Sequence, residues 1–393
     1  MKNSTVPARV PRVLCVCPFV PWPLDSGGRI RTFHLVREAR RQALADVELW
    51  CVADERPAAE LEARLTRELG PVRVFPRSAS GAWQRLTRAK MERWFHSEAL
   101  EHALAERLQA DPPDIVHVDE MSVLRAVPER APCPLLVHHS KLDVEFHEHV
   151  YGRGPAARFD RAKLLQLESA AARRARHHVV CSNVDRALLV ARRPNVVAHV
   201  VPSGFDPAHF VPSPAIAREN DLVLVLGSLD YEPNVDGLAF LVEEVLPLLE
   251  RRVRVDVVGR NPNARVRALC GGSVRLVGAV DDVRPHLARA AVLAVPLRIG
   301  GGTRLKIAEA LAVETAVVST RIGAEGLPLD ERHLWLADDA RSFARALDEA
   351  LARPQLAAER AARGHAVATA SLGWPSLAQA LSAAWRAALE PRE

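Results

Sequence analysis

The chain has 393 residues, with 53 lysines and arginines against 48 acidic residues and a formal charge of +5. Its 48% hydrophobic and 26% charged residues exclude a disordered chain, and the length suits two domains of ordinary size. Only Lys2, Lys90, Lys141, Lys163 and Lys306 are lysines, and the arginines interleave with carboxylates. Dispersed charge of this kind favours solubility and excludes a nucleic-acid groove, which needs clustered cations with interleaved aromatic rings.

In chain order, short apolar runs alternate with helical segments. Strands are predicted at 12–17, 47–52, 72–75, 114–118, 134–138, 178–181 and 196–201, with helices over 29–43, 57–69, 82–109 and 156–176 between them. The proline-rich stretch 205–220 breaks the rhythm and reads as a linker. The alternation then restarts, with strands at 221–227, 253–258, 274–277, 291–296 and 316–319. Helices are expected at 235–250, 263–269, 282–290 and 303–313, and a last amphipathic helix at 375–390. Continuous apolar strands separated by helices indicate parallel sheets covered on both faces, here an α/β chain of two doubly wound, Rossmann-like domains. The expected boundaries are 1–205 for the first domain, 206–220 for the linker, 221–372 for the second domain and 373–393 for a helix that crosses back to the first.

No apolar run reaches the roughly 18 residues needed to span a bilayer. Arg9 and Arg12 flank a short apolar stretch broken by Pro18, Pro21 and Pro23, which does not read as a signal peptide. The six cysteines form no CxxC pair, and five lie in or beside strands as expected for buried thiols. A cytoplasmic protein is expected, with peripheral contact at the inner face of a membrane left open.

Chemistry is concentrated in 296–314, PLRIGGGTRLKIAEALAVE. Glycines between a strand end and a helix start leave backbone N–H groups facing an anion, and the helix dipole favours negative charge there. Thr303 is expected to cap the helix. Gly302, Lys306 and Glu309 are spaced by four and three residues and so are expected on one helical face. At about 1.5 Å per residue, Glu309 lies about 10 Å of helix beyond Gly302, in reach of a ribose whose diphosphate sits at Gly300, Gly301 and Gly302. Arg298, Arg304 and Lys306 would neutralise the phosphates. A glycine-rich turn with a solvated basic face is the alternative.

This stretch resembles the donor-binding motif of retaining glycosyltransferases of family 4, which have the GT-B fold. The likeness continues through Glu309-Ala310-Leu311-Ala312, the strand 316–320 and Gly323-Ala324-Glu325-Gly326-Leu327. Upstream, 201–206 with Phe210 is similar to that family's domain junction. Gly227-Ser228 and Val258-Gly259-Arg260 fall where its first two second-domain strands end, and Gly27-Gly28 looks like its first-domain glycine loop. The resemblance implies two domains facing across a cleft that closes about 205–220. It implies metal-independent, retaining transfer of a sugar from a nucleotide diphosphate sugar, a UDP-sugar ahead of a GDP-sugar, to the hydroxyl of a glycan, lipid-linked or natural-product acceptor. No cofactor beyond that co-substrate is implied. Main-chain base contacts would lie near Val280, and Ser228 and Arg260 would join the donor site.

Two positions depart from the family's pattern. Its first glutamate, eight residues before the one at Glu309, is replaced by Gly301. Its basic pair after the first second-domain strand is missing, because 227–236 offers Asp230 and Glu232. By the same resemblance, a histidine at the end of a middle first-domain strand contacts the donor sugar, here His138 or His139. Alternation puts the two on opposite sides, and His139 is favoured as the nearer to the strand's C-terminal end. Lys141, Asp143 and Glu145 are acceptor-side candidates. A metal cluster of His138, His139, His147 and His149 is disfavoured by its spacing. The segment 77–97 reads as an ordinary amphipathic helix, with a lipid-linked or aromatic acceptor as the other reading. A nucleotide-sugar epimerase and a non-catalytic nucleotide- or glycan-binding protein remain alternatives. A dinucleotide oxidoreductase is disfavoured because 13–28 lacks the strand–GxGxxG–helix arrangement.

Overall fold

The computed structural model describes residues 9–152, 154–213 and 215–390, without the side chain of His149. The chain packs into two compact units. Residues 9–144, 154–201 and 375–390 form the first, and residues 145–152 and 202–374 form the second. The predicted linker 206–220 and the residues 202–205 thus pack as part of the second unit.

The first unit holds seven strands: β1 (Arg12–Cys17), β2 (Asp46–Ala53), β3 (Val72–Pro76), β4 (Ile115–Asp119), β5 (Leu135–His139), β6 (His177–Val180) and β7 (Val197–Val200). They pair in the order β3-β2-β1-β4-β5-β6-β7, all parallel. The second unit holds β8 (Glu219–Leu226), β9 (Arg254–Val258), β10 (Val274–Gly278), β11 (Ala290–Val295), β12 (Ala316–Ser319) and β13 (Trp335–Leu336). Their order is β10-β9-β8-β11-β12-β13, again all parallel. Central strands such as RVLCVC in β1 and AAVLAV in β11 are buried on both faces, which is why they are apolar at nearly every position instead of alternating.

The strand order reverses between β1 and β4 in one sheet and between β8 and β11 in the other. At such a point the chain leaves neighbouring strands in opposite directions, so their carboxyl ends stay uncovered by connections. Both loops singled out in the sequence start there: β1 leads to Gly27 and Gly28, which open the helix Gly27–Arg41, and β11 leads to Gly300–Gly302.

Two helices differ from expectation. The single helix predicted over 82–109 is three: Ala82–Thr87, Lys90–Trp94 and Glu98–Ala110. Local caps cut it, since the Glu92 carboxylate accepts from Ala89 N–H at 2.8 Å and Ser97 Oγ accepts from Leu100 N–H at 3.2 Å. The helix predicted over 235–250 is α-helical only over Glu232–Ala239, then widens to a π-helical stretch Phe240–Val245.

The last helix, Trp374–Leu389, gives its residues from Pro375 onward to the first unit. Trp385 is fully buried there and donates its indole N–H to His117 Nδ1 at 3.4 Å. Losing a buried indole leaves both a cavity and an orphaned imidazole acceptor. Trp385→Ala should therefore lower the stability of the first unit by about 3–5 kcal/mol in urea unfolding, whereas a change below about 1 kcal/mol would mean that the helix is only loosely attached.

Candidate functional site

At the carboxyl edge of the second sheet, backbone carries most of the geometry. Gly259 lies so close to Gly227 that a Cβ there would overlap the Gly227 carbonyl oxygen. The amides of Gly227 and Gly259 donate across the strand ends to Val258 O at 3.1 Å and Gly278 O at 2.8 Å. A side chain at Gly259 would push these ends apart, and one at Gly227 would collide with the Asn234 amide. The edge is thus a shelf of close-packed main chain at the ends of β8, β9 and β10.

The loop after β11 runs beside this shelf. Gly302 has φ +69°, a conformation that favours glycine. The helix begins at Leu305, so Thr303 does not cap it, which corrects the sequence expectation. The Thr303 hydroxyl lies one residue too early and instead accepts from Ser203 N–H at 2.6 Å. Gly302 likewise stands outside the helix, leaving Lys306 and Glu309 as the pair one turn apart. Arg304 Nη1 donates to the carbonyls of Gly301 and Gly302 at 2.5 and 2.8 Å, which draws those oxygens toward the guanidinium and pins the loop. A Cβ at Gly300 would collide with the same group.

The three cations proposed from sequence therefore differ in what they do. Arg298 does not stand ready for phosphate. It forms a bidentate ion pair with Asp236 at 3.0 and 2.7 Å, bonds Glu244 at 3.0 Å and lies over the Phe240 ring. Two carboxylates already match its charge, and they could not be foreseen because they come from the distant helical segment after β8. Arg304 shapes the loop. Lys306 reaches from the helix to the end of β8, donating to Leu226 O and, at 2.9 Å, to Asn234 Oδ1.

Asn234 was missed in the sequence. Its Nδ2 donates to Ser228 O at 2.9 Å while its Oδ1 holds Lys306, so one amide ties the loop after β8 to the helix after β11. No sequence signal marks it beyond its place in the first turn after a strand. Ser228 Oγ bonds Asp230 Oδ1 at 2.8 Å, and Asn261 reaches the other Asp230 oxygen at 3.1 Å. Arg260 receives Leu229 N–H at its carbonyl, which keeps it on this edge. Val280 is half-buried against the apolar group that includes Leu297 and Ile307.

Lys306 and Glu309 are both partly covered. Burial pushes the Lys306 ammonium down to about 7, helped by Arg304 and opposed by Glu309. Burial pushes the Glu309 carboxyl up to about 7, opposed by Lys306. A lysine and a glutamate that both titrate near neutrality on one turn are poorly solvated by the protein alone, the condition expected where a polar ligand completes the site.

On the first sheet, β5 ends with His138 and His139 on opposite faces. His138 pairs in register with Asp119 and Val179, whereas His139 pairs with Val180. His139 is the histidine favoured from the sequence for contact with the donor sugar. It is 2% exposed and its ring stacks on His178, with Nε2 2.9 Å from His178 Nδ1. His178 Nε2 donates to Ala175 O, which makes His178 Nδ1 the acceptor and His139 Nε2 the donor. Burial lowers the pKa of His139 well below the usual imidazole range.

His138 faces the other way into a buried network. Arg31 Nε donates to His138 Nε2 at 3.0 Å, His138 Nδ1 lies 2.9 Å from Asp119 Oδ1, and Thr32 donates to Asp119 Oδ2 at 2.5 Å. His117, Asp119 and His138 form the one group among the described residues whose atoms could hold a metal ion. The buried Arg31 guanidinium beside it and the engagement of both His138 nitrogens make it a hydrogen-bond relay that is hostile to a second cation. His138 and His139 cannot share a metal from opposite faces, and the His149 side chain of the sequence-derived cluster lies outside the described residues.

The carboxyl edge of the first sheet also carries Glu120 at the end of β4, a residue not singled out in the sequence. Its φ of +84° is uncommon for a glutamate, and Ser140 donates to its carboxylate from the end of β5. Burial raises its pKa, opposed by Lys141. Lys141 pairs with Asp143 at 3.3 Å on the same edge, whereas Glu145 packs with the second unit. Gly28 admits the Phe19 ring, whose nearest atom would be 3.0 Å from a Cβ there.

Known proteins can now be compared with this geometry. Residues 220–353, which contain the shelf, the triple glycine, Lys306 and Glu309, match the family model described as Glycosyl transferases group 1. Among solved structures, the Anabaena protein HepE in complex with UDP is similar over 96% of this chain and 100% of its own, at 14% identity and a TM-score of 0.68. Sucrose-phosphate synthase from Thermosynechococcus elongatus matches over 96% and 99%, at 20% identity and a TM-score of 0.73. A glycosyltransferase from Rickettsia africae matches over 98% and 100%, at 14% identity and a TM-score of 0.70. The fold is GT-B. No curated protein matches the chain. At these identities the likeness to solved structures is one of fold.

The titrating pair makes the site's pH behaviour testable. With Lys306 brought from 10.5 to about 7, the folded chain holds fewer protons than the unfolded chain between those values, so this contribution to stability rises with pH. With Glu309 raised from 4.5 to about 7, the folded chain holds more protons across that window, so its contribution falls as pH rises. The two slopes meet near neutrality, where the pair costs the fold most. Replacing both, Lys306→Met with Glu309→Gln, should raise the melting temperature most near pH 7 and less toward either extreme. A pH-independent difference would show that burial does not perturb the pair.

Proposed function

We propose that the chain is a retaining glycosyltransferase of family 4, moving a sugar from a nucleotide diphosphate sugar to an acceptor hydroxyl. The observation that carries this reading is the glycine-rich turn after β11, set at the reversal of strand order with Lys306 and Glu309 on the helix behind it. The family match over 220–353 and the fold shared with HepE, solved with UDP and with UDP-glucose, support it. A UDP-sugar is the favoured donor, and no metal is assigned to the reaction.

In this reading the diphosphate lies on the amides of Gly300–Gly302, whose carbonyls Arg304 draws away. Lys306 supplies the positive charge that Arg298 cannot, because Asp236 and Glu244 already hold that guanidinium. An arriving diphosphate favours the ammonium form of Lys306, and hydroxyl donation from a ribose favours the carboxylate form of Glu309. The charge that develops on the leaving diphosphate is then met by preorganised N–H groups and an ammonium. The shelf at Gly227, Ser228 and Arg260, with Val280, borders the base and ribose.

With His139 buried, the first-domain contacts to sugar and acceptor are assigned to the edge formed by Glu120, Ser140, Lys141 and Asp143, with Gly27 and Gly28 at the start of the helix that follows β1. His138 supports that edge from beneath through Asp119. The acceptor class remains a glycan, a lipid-linked hydroxyl or a natural product, and the cytoplasm is the compartment this donor chemistry suits.

UDP should raise the melting temperature more than GDP, ADP, CMP or dTDP. Glu309→Gln and Lys306→Met should each weaken UDP binding at least about tenfold in calorimetry, the size expected for a charged hydrogen bond. Wild-type affinity in both variants would overturn the donor-site assignment. NMR of the product anomer tests retention. Product formed only when acceptor is present separates transfer from epimerisation, and slow donor hydrolysis excludes a purely binding protein.

A further inference from the structure

The caps at Glu92 and Ser97 break the predicted 82–109 helix into three pieces; Leu100, Leu104 and Leu108 on the last are buried, whereas large apolar side chains on the first two face outward. Trp83 is 75% exposed, Leu86 61% and Trp94 58%. Trp50, Trp374 and Trp385 are by contrast among the largest fully buried side chains. Trp83 and Leu86 are three residues apart and share one face of the helix Ala82–Thr87. Phe159, 55% exposed on the helix Pro155–Arg174, joins them through Lys163. The Lys163 ammonium donates to Arg85 O at 2.8 Å and lies 4.3 Å from the centre of the Phe159 ring. All of these residues belong to the first unit.

Cations outnumber carboxylates around this patch, although Glu98 is exposed just past Trp94. Arg85, Lys90 and Arg158 are exposed beside the aromatic residues, and Arg93 is half-exposed. Of the nearby carboxylates, Glu92 is turned inward to Arg125 and Ala89 N–H, and Asp160 accepts from Lys90 N–H at 3.0 Å. Glu101 lies beyond Ser97, where it pairs with Arg88 at 3.5 Å. Indole and phenyl rings at the surface, ringed by arginine and lysine, match the zone between lipid headgroups and acyl chains. Rings settle at that depth, and cations above them meet anionic phosphates. Among the described residues no helix is long and apolar enough to cross a membrane, so contact through this patch would be lateral and reversible.

We propose that the hairpin 82–94, with Phe159 beside it, is a docking surface for an anionic lipid bilayer, entered by Trp83, Leu86 and Trp94 and held by Arg85, Lys90 and Arg158. The inference does not depend on the donor-site reading. It gives the lipid-proximal surface to the first unit, whereas the triple glycine belongs to the second.

The test is sedimentation of the full-length protein with vesicles of phosphatidylcholine mixed with phosphatidylglycerol, against vesicles of phosphatidylcholine alone. The protein should sediment with the mixed vesicles, with a blue shift of tryptophan emission, and salt should release it. Each surface cation is worth about fivefold in partition. Arg85→Glu with Arg158→Glu should thus lower binding at least about tenfold, as should Trp83→Ser with Leu86→Ser. These exposed positions should leave the melting temperature and its UDP shift unchanged, so loss of vesicle binding with the UDP response retained supports the proposal. Failure of the wild type to bind mixed vesicles overturns it, as does wild-type binding by the Trp83/Leu86 variant. Equal binding to both kinds of vesicle overturns the electrostatic half, and an absent UDP shift bears on the donor reading alone.

Discussion

The bond from Lys306 to the end of β8 is the interaction on which the second unit's candidate site depends. It spans the place where strand order reverses, joining the helix after β11 to the carbonyl of Leu226 and to Asn234. Through Asn234 the same bond reaches Ser228, so the loops on both sides of the reversal are tied together. An ammonium serves here because it can donate to several acceptors in different directions from one point, which a planar guanidinium cannot. That distinguishes this position in a chain whose other cations are almost all arginine.

Around that bond, the site is built from main chain instead of side-chain bulk. The contact of Gly259 with Gly227 and the positive φ at Gly302 both require the absence of a Cβ. Small residues let amides approach a ligand closely, and the arginines keep the loop in place from outside. Arg304 holds the glycine carbonyls, and Arg298 is locked to Asp236 and Glu244. The site is therefore stiff where backbone must be presented, and it holds Lys306 and Glu309 against the cost of their burial. A protein that keeps a buried lysine and glutamate near their titration points carries a cost that a bound polar partner removes.

The first unit solves a different problem. Its sheet buries a polar chain, Arg31 to His138 to Asp119 to Thr32, with Trp385 from the last helix bonded to His117 beside it. Arg31 also donates to the carbonyl of Val201, the last residue of this unit before the chain enters the second. One buried guanidinium thus ties the strand ends to the exit of the chain. Buried networks of this kind hold geometry only when nearly every member is satisfied, so each residue in it constrains the others.

The sequence by itself determined the alternation of strands and helices, because apolar runs of strand length and local punctuation by glycine and proline are read from neighbouring residues. It also marked the triple glycine and the Lys306–Glu309 spacing, since covalent distance along one turn and helix is enough to bring them together. Where side chains from distant segments meet, it was silent or misled. Arg298 found carboxylates 62 and 54 residues away, and His139 met His178 across a strand pairing that periodicity does not encode. Even the apparently local helix 82–109 depended on tertiary structure. Its caps are local, but whether Trp83 and Leu86 would be buried depended on what packed beside them. Only the order of strands in the sheets and the packing of helices on them decide which charges cancel and which aromatic rings are left facing outward.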